Sequence, residues 1–149
     1  MPDQRPDGVV VTVNDEGMPN ARSALIERGV RAAIRSEDVT LAEVSVTLLD
    51  DARIQELNAS YLDRDRPTDV IAFSLGGPAG ILGDVYIGYE QAARQADEYR
   101  ETLETELLRL AIHGTLHVLG HDHPEGPERL ESPMFELQER LVAQVLAAD

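Results

Sequence analysis

Hydrophobic positions in the first part of the chain follow the strand period and the helix period in turn. Residues 9–13 form a run rich in β-branched side chains, and residues 44–49 alternate apolar and polar side chains, so both segments are predicted strands. Apolar side chains at helical spacing predict a helix over residues 21–35, with Asn20 as its N-cap. A shorter helix is predicted to run to about residue 61, capped by Asp50 or Asp51.

The same patterns continue through the rest of the chain. A polar loop over residues 63–67 precedes a third strand at 69–75, and a glycine-rich turn at 76–80 leads to a fourth strand at 82–89. Three helices are then predicted, over residues 90–100, 102–119 and 128–147. We therefore expect one α+β domain over residues 1–149, in which helices pack on a small four-stranded mixed sheet.

Composition narrows the classes of function. The 149 residues include no cysteine, which excludes disulfides and thiolate metal ligands, and the net charge of −15 argues against broad binding to nucleic acid such as DNA. No segment approaches the run of about 20 apolar residues that spans a membrane. The first five residues lack the basic and apolar regions of a signal peptide. We expect a cytoplasmic protein that enters no membrane and binds no DNA.

Three histidines near the C-terminal third carry the strongest chemical signal. His113 and His117 are four residues apart and lie on one face of the predicted helix. Gly120 and then Pro124 end this helix, so that the chain can turn back and present His123 to the same point. Three imidazoles with an open fourth position are typical of a catalytic zinc site. The pattern therefore predicts a zincin-like metal-binding helix followed by a turn.

Other residues of this motif limit the chemistry. The spacing is that of metzincin proteases, but Gly114 stands where those enzymes carry the glutamate that acts as general base. A protease is therefore disfavoured, and Met134 is more simply explained as a core residue than as a methionine turn. His121 is expected to be exposed, or to contact the metal-binding imidazoles rather than the metal itself. Asp122 is predicted either to orient a ligand imidazole from behind or to cap the turn.

Three sequence blocks resemble the signatures of the YbeY endoribonucleases, a family of ribosomal RNA maturation factors. They are residues 113–123 (HGTLHVLGHDH), residues 57–58 (LN) with 66–74 (RPTDVIAFS), and residues 82–87 (LGDVYI). The blocks occur in the family's order and at similar spacing. The resemblance implies one zinc ion per chain bound by His113, His117 and His123. It also implies cleavage of single-stranded RNA, maturation of 16S ribosomal RNA at its 3′ end, and ribosome quality control with small-subunit particles and assembly factors as partners.

One departure from the family pattern leaves the catalytic residues unassigned. Leu62 stands where many members carry an arginine thought to serve catalysis, and Arg64 and Arg66 in the same loop are the alternative cations. Asp69 and Asp84 begin or lie within predicted strands, where aspartate is disfavoured, which indicates a special role such as a hydrogen bond across the site or a loop anchor rather than direct catalysis. Asp69 is kept beside Arg64 and Arg66 as a catalytic candidate.

Metal-assisted phosphodiester hydrolysis is thus the leading hypothesis, with either water or the RNA 2′-hydroxyl as nucleophile and no general base assigned. Two alternatives stay open. One is a metal-dependent hydrolase of another substrate. The other is a non-catalytic ribosome-assembly factor that zinc stabilises.

Overall fold

Four strands form one mixed sheet in the computed structural model, which describes residues 8–64, 66–76 and 80–149. The strand order is β1-β2-β4-β3, with β1 parallel to β2, β2 parallel to β4, and β3 antiparallel to β4 at the edge. The strands are β1 (Val9–Asn14), β2 (Ala42–Leu49), β3 (Val70–Ser74) and β4 (Ile81–Gly88). This arrangement confirms the predicted α+β class with a small four-stranded mixed sheet.

Helices cover both faces of this sheet. They are α1 (Ser23–Arg35), α2 (Asp51–Leu62), α3 (Tyr89–Tyr99), α4 (Leu103–Val118) and α5 (Pro133–Ala147), with a 3-10 helix at Pro127–Glu131. Strand side chains such as Val85 and Ile87 join the main core with α1 and α4, whereas Tyr86, which points the other way, packs in a smaller cluster with Ile54 of α2. No helix in the described part of the chain is long and apolar enough to cross a bilayer.

Helix α4 is the element on which the rest converges. It packs against β3 and β4 on one side and against α1, α3 and α5 on the others. Thr102 caps its N-terminus, accepting a hydrogen bond from the Thr105 N–H over 3.1 Å. A helix enclosed in this way holds its side chains in fixed positions, which a metal site requires.

Of the N-caps predicted for the first two helices, the one for α2 is confirmed and the one for α1 is wrong. Asp50 caps α2, because its carboxylate accepts a hydrogen bond from the Arg53 N–H over 2.8 Å. Asn20 does not cap α1, which begins at Ser23. Asn20 itself has a φ of 61°, and Arg22, in the N-cap position, has a φ of 52° and makes no side-chain cap. Asn20 lies two residues before the N-cap position, so its side chain is not the one adjacent to the free N–H groups of the first turn.

The predicted C-terminal helix over residues 128–147 is wrong in its first turn. The 3-10 helix ends at Glu131, and α5 begins only at Pro133. Proline disfavours helical backbone in the residue before it, and Ser132 accordingly has a ψ of 154°. The Ser132 hydroxyl then caps α5 by accepting a hydrogen bond from the Phe135 N–H over 3.1 Å.

Some predicted features fall outside the described residues. These are the N-terminal segment 1–7, residue 65 of the polar loop, and residues 77–79 of the turn between β3 and β4.

Candidate metal centre

Two imidazoles of α4 face each other across one helical turn. The Nε2 atoms of His113 and His117 are 3.1 Å apart, as expected for side chains four residues apart on one helix face. Both side chains are half-buried. Burial lowers the pKa of both imidazoles, because a charged ring loses its hydration there. The neutral rings that result at pH 7 carry the lone pairs that a metal ion needs.

The helix ends where the glycine predicted it to end. Gly120 has a φ of 104°, and its N–H donates to the carbonyl oxygen of His117 over 3.0 Å. The next N–H, from His121, donates to the carbonyl of Leu116 over 2.9 Å. These two bonds form a Schellman motif, which requires a residue that tolerates positive φ at this position. The chain therefore reverses directly after α4.

The reversal brings the third histidine to the first two. The ring centre of His123 lies 5.1 Å from that of His113 and 5.0 Å from that of His117. One nitrogen from each of the three rings lies within 4.8 Å of the other two. This arrangement meets the requirement for a three-nitrogen site, and the donor set suits zinc with one position left for water or substrate.

A cavity of about 580 Å³ adjoins the three rings. Its wall is formed by α4 and by the 3-10 helix with the start of α5, and it reaches from the histidines to Tyr99, Arg129 and Phe135. A volume of this size falls within the usual range of about 300–1,000 Å³ for ligand pockets. The candidate metal position is therefore accessible to a substrate larger than water.

Asp69 and Asp84, both singled out by predicted strand positions, have different surroundings: Asp69 precedes β3, which begins at Val70, and Asp84 lies within β4. Asp69 lines the cavity, and its negative charge raises the pKa of His113 by less than burial lowers it. Asp84 accepts a hydrogen bond from the Ser45 hydroxyl over 2.7 Å, on the face that carries Tyr86. Asp69 is thus placed beside the candidate metal position, and Asp84 joins two strands behind it.

The loop arginines predicted as catalytic candidates do not line the cavity. Arg64 and Arg66 are exposed. Their loop is anchored by buried Asn58, whose carbonyl accepts the Arg64 N–H over 3.2 Å and whose amide donates to the Arg66 carbonyl over 3.0 Å. Leu62, in the position of the missing family arginine, is 48% exposed. The catalytic role of Arg64 and Arg66 stays a prediction.

Asp122 and His121 occupy the turn between the second and third histidines. The Asp122 carboxylate accepts a hydrogen bond from the adjacent His123 N–H over 2.8 Å, and its two predicted roles stay predictions. Its charge also raises the pKa of His117, though by less than burial lowers it. His121 contributes its backbone carbonyl, 3.0 Å from Nδ1 of His117, and its ring lies 3.0 Å from a carboxylate oxygen of Glu37.

Sequence reasoning missed several residues that surround the site. Gln138 is 4% exposed, and its side-chain oxygen lies 2.7 Å from Nδ1 of His113. Arg109 and Glu139 form an ion pair next to it, and Arg129 lies at the cavity wall. One signal was available: Gln138 falls at a helical position between the apolar residues Met134 and Leu141, Val142 and Val145, where a polar side chain needs a partner.

Comparison with known proteins finds one family over most of the chain. The family model described as Endoribonuclease YbeY matches residues 11–146. A protein named Endoribonuclease YbeY from Desulfitobacterium hafniense is 41% identical over 135 residues, covering 83% of this chain and 85% of its own. The protein of the same name from Micrococcus luteus is 39% identical over 146 residues and covers 92% of each chain.

A solved structure also matches. The solution structure of TM1509 from Thermotoga maritima superposes with a TM-score of 0.64 at 30% identity, covering 93% of this chain and 91% of that one. The family model covers well over half of the sequence, and the relatives align over most of both chains. This chain therefore belongs to the endoribonuclease YbeY family.

Proposed function

We propose that this protein is a metal-dependent endoribonuclease that hydrolyses single-stranded RNA. The observation that carries the proposal is the convergence of His113, His117 and His123, whose nitrogens lie within 4.8 Å of one another at the wall of an open cavity. The names of the relatives support RNA as the substrate. All three donors are nitrogen, which favours zinc, at one ion per chain. Bound there, the ion would supply Lewis acidity to a phosphoryl oxygen and to a water molecule.

Asp69 is our candidate for the group that accepts the proton of the nucleophile. The other carboxylates along the cavity, Glu101, Glu106 and Glu139, all pair with Arg109. Within the described part of the chain, Asp69 makes no ion pair. Asp69 lines the same cavity as the three histidines, where a carboxylate can accept a proton from a nucleophile held at the candidate metal position.

Arg129 is our candidate for the group that contacts the scissile phosphate. Among the described residues its guanidinium has no carboxylate partner, and it lies at the rim of the cavity, where Arg64 and Arg66 do not reach. An arginine can donate two parallel hydrogen bonds to a phosphate and offset the charge that develops in the transition state. Arg64 and Arg66 are retained as candidates for contacts to more distant phosphates of the strand.

The acidic charge of the chain bears on the form of the substrate. A net charge of −15 opposes binding to naked RNA, whereas an assembled ribosomal particle also presents basic proteins. We therefore propose that the protein acts on the 3′ end of 16S ribosomal RNA within small-subunit particles, together with assembly factors in the cytoplasm. Cleavage of isolated RNA is expected to be weak by comparison.

The charge also supports a second candidate function, a non-catalytic assembly factor whose zinc stabilises the turn after α4. One experiment separates the two. Metal content and cleavage of free RNA and of small-subunit particles are measured for the wild type, His117→Ala and His121→Ala. An endoribonuclease should contain about one zinc per chain and cleave in the wild type and the His121→Ala control, and His117→Ala should lose both. Bound zinc without cleavage of either substrate would favour the assembly factor.

A further inference from the structure

We propose that Gln138 is a positioning residue that sets the tautomer of His113, and that Glu139 and Arg109 impose the orientation of the Gln138 amide. The inference rests on the proposed metal function of the three histidines. It concerns groups behind the metal position, not the metal position itself.

Glu139 lies in a group of carboxylates that surrounds Arg109. Arg109 is 19% exposed and donates to Glu139 over 2.8 Å, to Glu101 over 2.7 Å and to Glu106 over 2.9 Å. Burial alone would raise the pKa of Glu139, but the hydrogen bonds from Arg109 and Gln138 outweigh it and lower the pKa. Glu139 is therefore an ionised carboxylate at neutral pH, and such a carboxylate can only accept hydrogen bonds.

The Gln138 amide lies between Glu139 and His113. Its Nε2 lies 2.9 Å from the Glu139 carboxylate, and its Oε1 lies 2.7 Å from Nδ1 of His113. The reverse orientation would place the amide oxygen against a carboxylate oxygen, and the two acceptors would repel. Gln138 is 4% exposed, so water cannot relieve that repulsion. The amide NH₂ must face Glu139, and the carbonyl must face the histidine.

The Gln138 carbonyl determines which ring nitrogen of His113 carries the proton. An amide oxygen can only accept, so Nδ1 must be the protonated nitrogen of the neutral ring. Nε2 is then unprotonated, and it is the atom that faces Nε2 of His117 at 3.1 Å. The chain of contacts from Arg109 through Glu139 and Gln138 therefore delivers a lone pair at the candidate metal position.

The other two histidines show the same arrangement with different acceptors. Nδ1 of His117 lies 3.0 Å from the carbonyl oxygen of His121, and Nδ1 of His123 lies 3.0 Å from that of Pro124. All three rings thus direct Nδ1 to a carbonyl oxygen. His113 alone depends on a side chain for this, and that side chain comes from another helix. A single substitution in α5 can therefore change the tautomer of His113.

The test reads the tautomer directly. Long-range ¹H–¹⁵N spectra of metal-free protein distinguish Nδ1–H from Nε2–H rings, and zinc titration measures the affinity for the metal alone. In the wild type we expect His113 as the Nδ1–H tautomer. In Gln138→Leu the acceptor is lost, and we expect a large Nε2–H population with zinc affinity lowered about 10- to 100-fold. The exposed Gln144→Leu on the same helix is the matched control and should change neither.

A second variant keeps the test decisive if Gln138→Leu fails to fold. Glu139→Gln offers both a donor and an acceptor, so that the Gln138 amide can rotate and His113 should show both tautomers. An unchanged Nδ1–H tautomer with wild-type zinc affinity in Gln138→Leu, or in Glu139→Gln where that alone folds, would overturn the proposal. The tautomer and zinc-affinity measurements use no RNA. A wild-type protein that failed to cleave RNA would therefore contradict the proposed function, and the result for Gln138 would stand unchanged.

Discussion

The backbone of Gly114 lies so close to Val85 that a β-carbon on residue 114 would be 2.5 Å from Val85 Cγ1. Val85 is fully buried in β4, between β2 and β3. The glycine therefore sets the distance between α4 and the sheet, and with it the position of the histidines on either side. The same contact explains why no glutamate replaces it: a longer side chain at this position would clash with the sheet.

Gly114→Ala is expected to destabilise the protein by about 1–3 kcal/mol through overpacking, with about 1 kcal/mol of this offset by the higher helix propensity of alanine. Denaturant unfolding measures the change. Gly29→Ala in α1 is the comparison: its added β-carbon would lie 2.4 Å from the terminal methyl of Leu108 and 3.1 Å from Cγ1 of Ile112, so we expect a loss of similar size. A Gly114→Ala protein as stable as the wild type would contradict the close packing.

Gly120→Ala is expected to weaken zinc binding as well as stability. Its φ of 104° is unfavourable for any residue with a β-carbon, and the turn it makes carries His123 to the other histidines. We expect a loss of stability of about 1 kcal/mol and a measurable fall in zinc affinity by titration.

Gly17→Ala is the matched control for this prediction. Gly17 also has a positive φ, 74°, and like Gly120 it has open space around the position of a β-carbon. It lies far along the chain from the histidines, in the turn after β1. Equal loss of zinc affinity in both variants would show that backbone strain alone, rather than placement of His123, is responsible.

The stability of the metal-free protein should depend on pH through His113 and His117. Burial lowers the pKa of both rings from 6.5 in the folded state, so the unfolded chain binds more protons as the pH falls. The free energy of unfolding should therefore be fully retained above about pH 7 and decrease as the pH is lowered towards about 5. Denaturant unfolding at several pH values in this range measures the effect. In the double variant His113→Gln, His117→Gln the free energy of unfolding should change less with pH than in the wild type. An unchanged slope would assign the effect to other groups.

Arg129→Gln should lower RNA cleavage while leaving zinc content unchanged. If the guanidinium stabilises charge in the transition state, kcat should fall by about 10- to 1,000-fold, with a smaller change in KM. Arg140→Gln, on the exposed face of α5, removes the same charge away from the cavity and serves as control. If both variants cleave at the wild-type rate, the phosphate contact would pass to Arg64 or Arg66.

The sequence alone was sufficient for the elements and for the three histidines. Strand and helix periods depend on neighbours along the chain, and so does the spacing that places His113 and His117 one turn apart. The glycine after α4 is equally local, since its positive φ and the two hydrogen bonds that it permits involve residues within five positions. Local patterns of this kind predicted the sheet, most of the helices and the convergence of the three rings.

Tertiary structure alone decided which other side chains reach these rings. Gln138 is 25 residues from His113 along the chain, and Arg109 is 30 residues from Glu139, so no local period relates them. The break before α5 is a local effect of Pro133, but the position of the 3-10 helix, and with it the place of Arg129 at the cavity, depends on packing. Hydrogen bonds between distant residues depend on how helices pack, and packing is decided by the fit of whole surfaces rather than by periodicity.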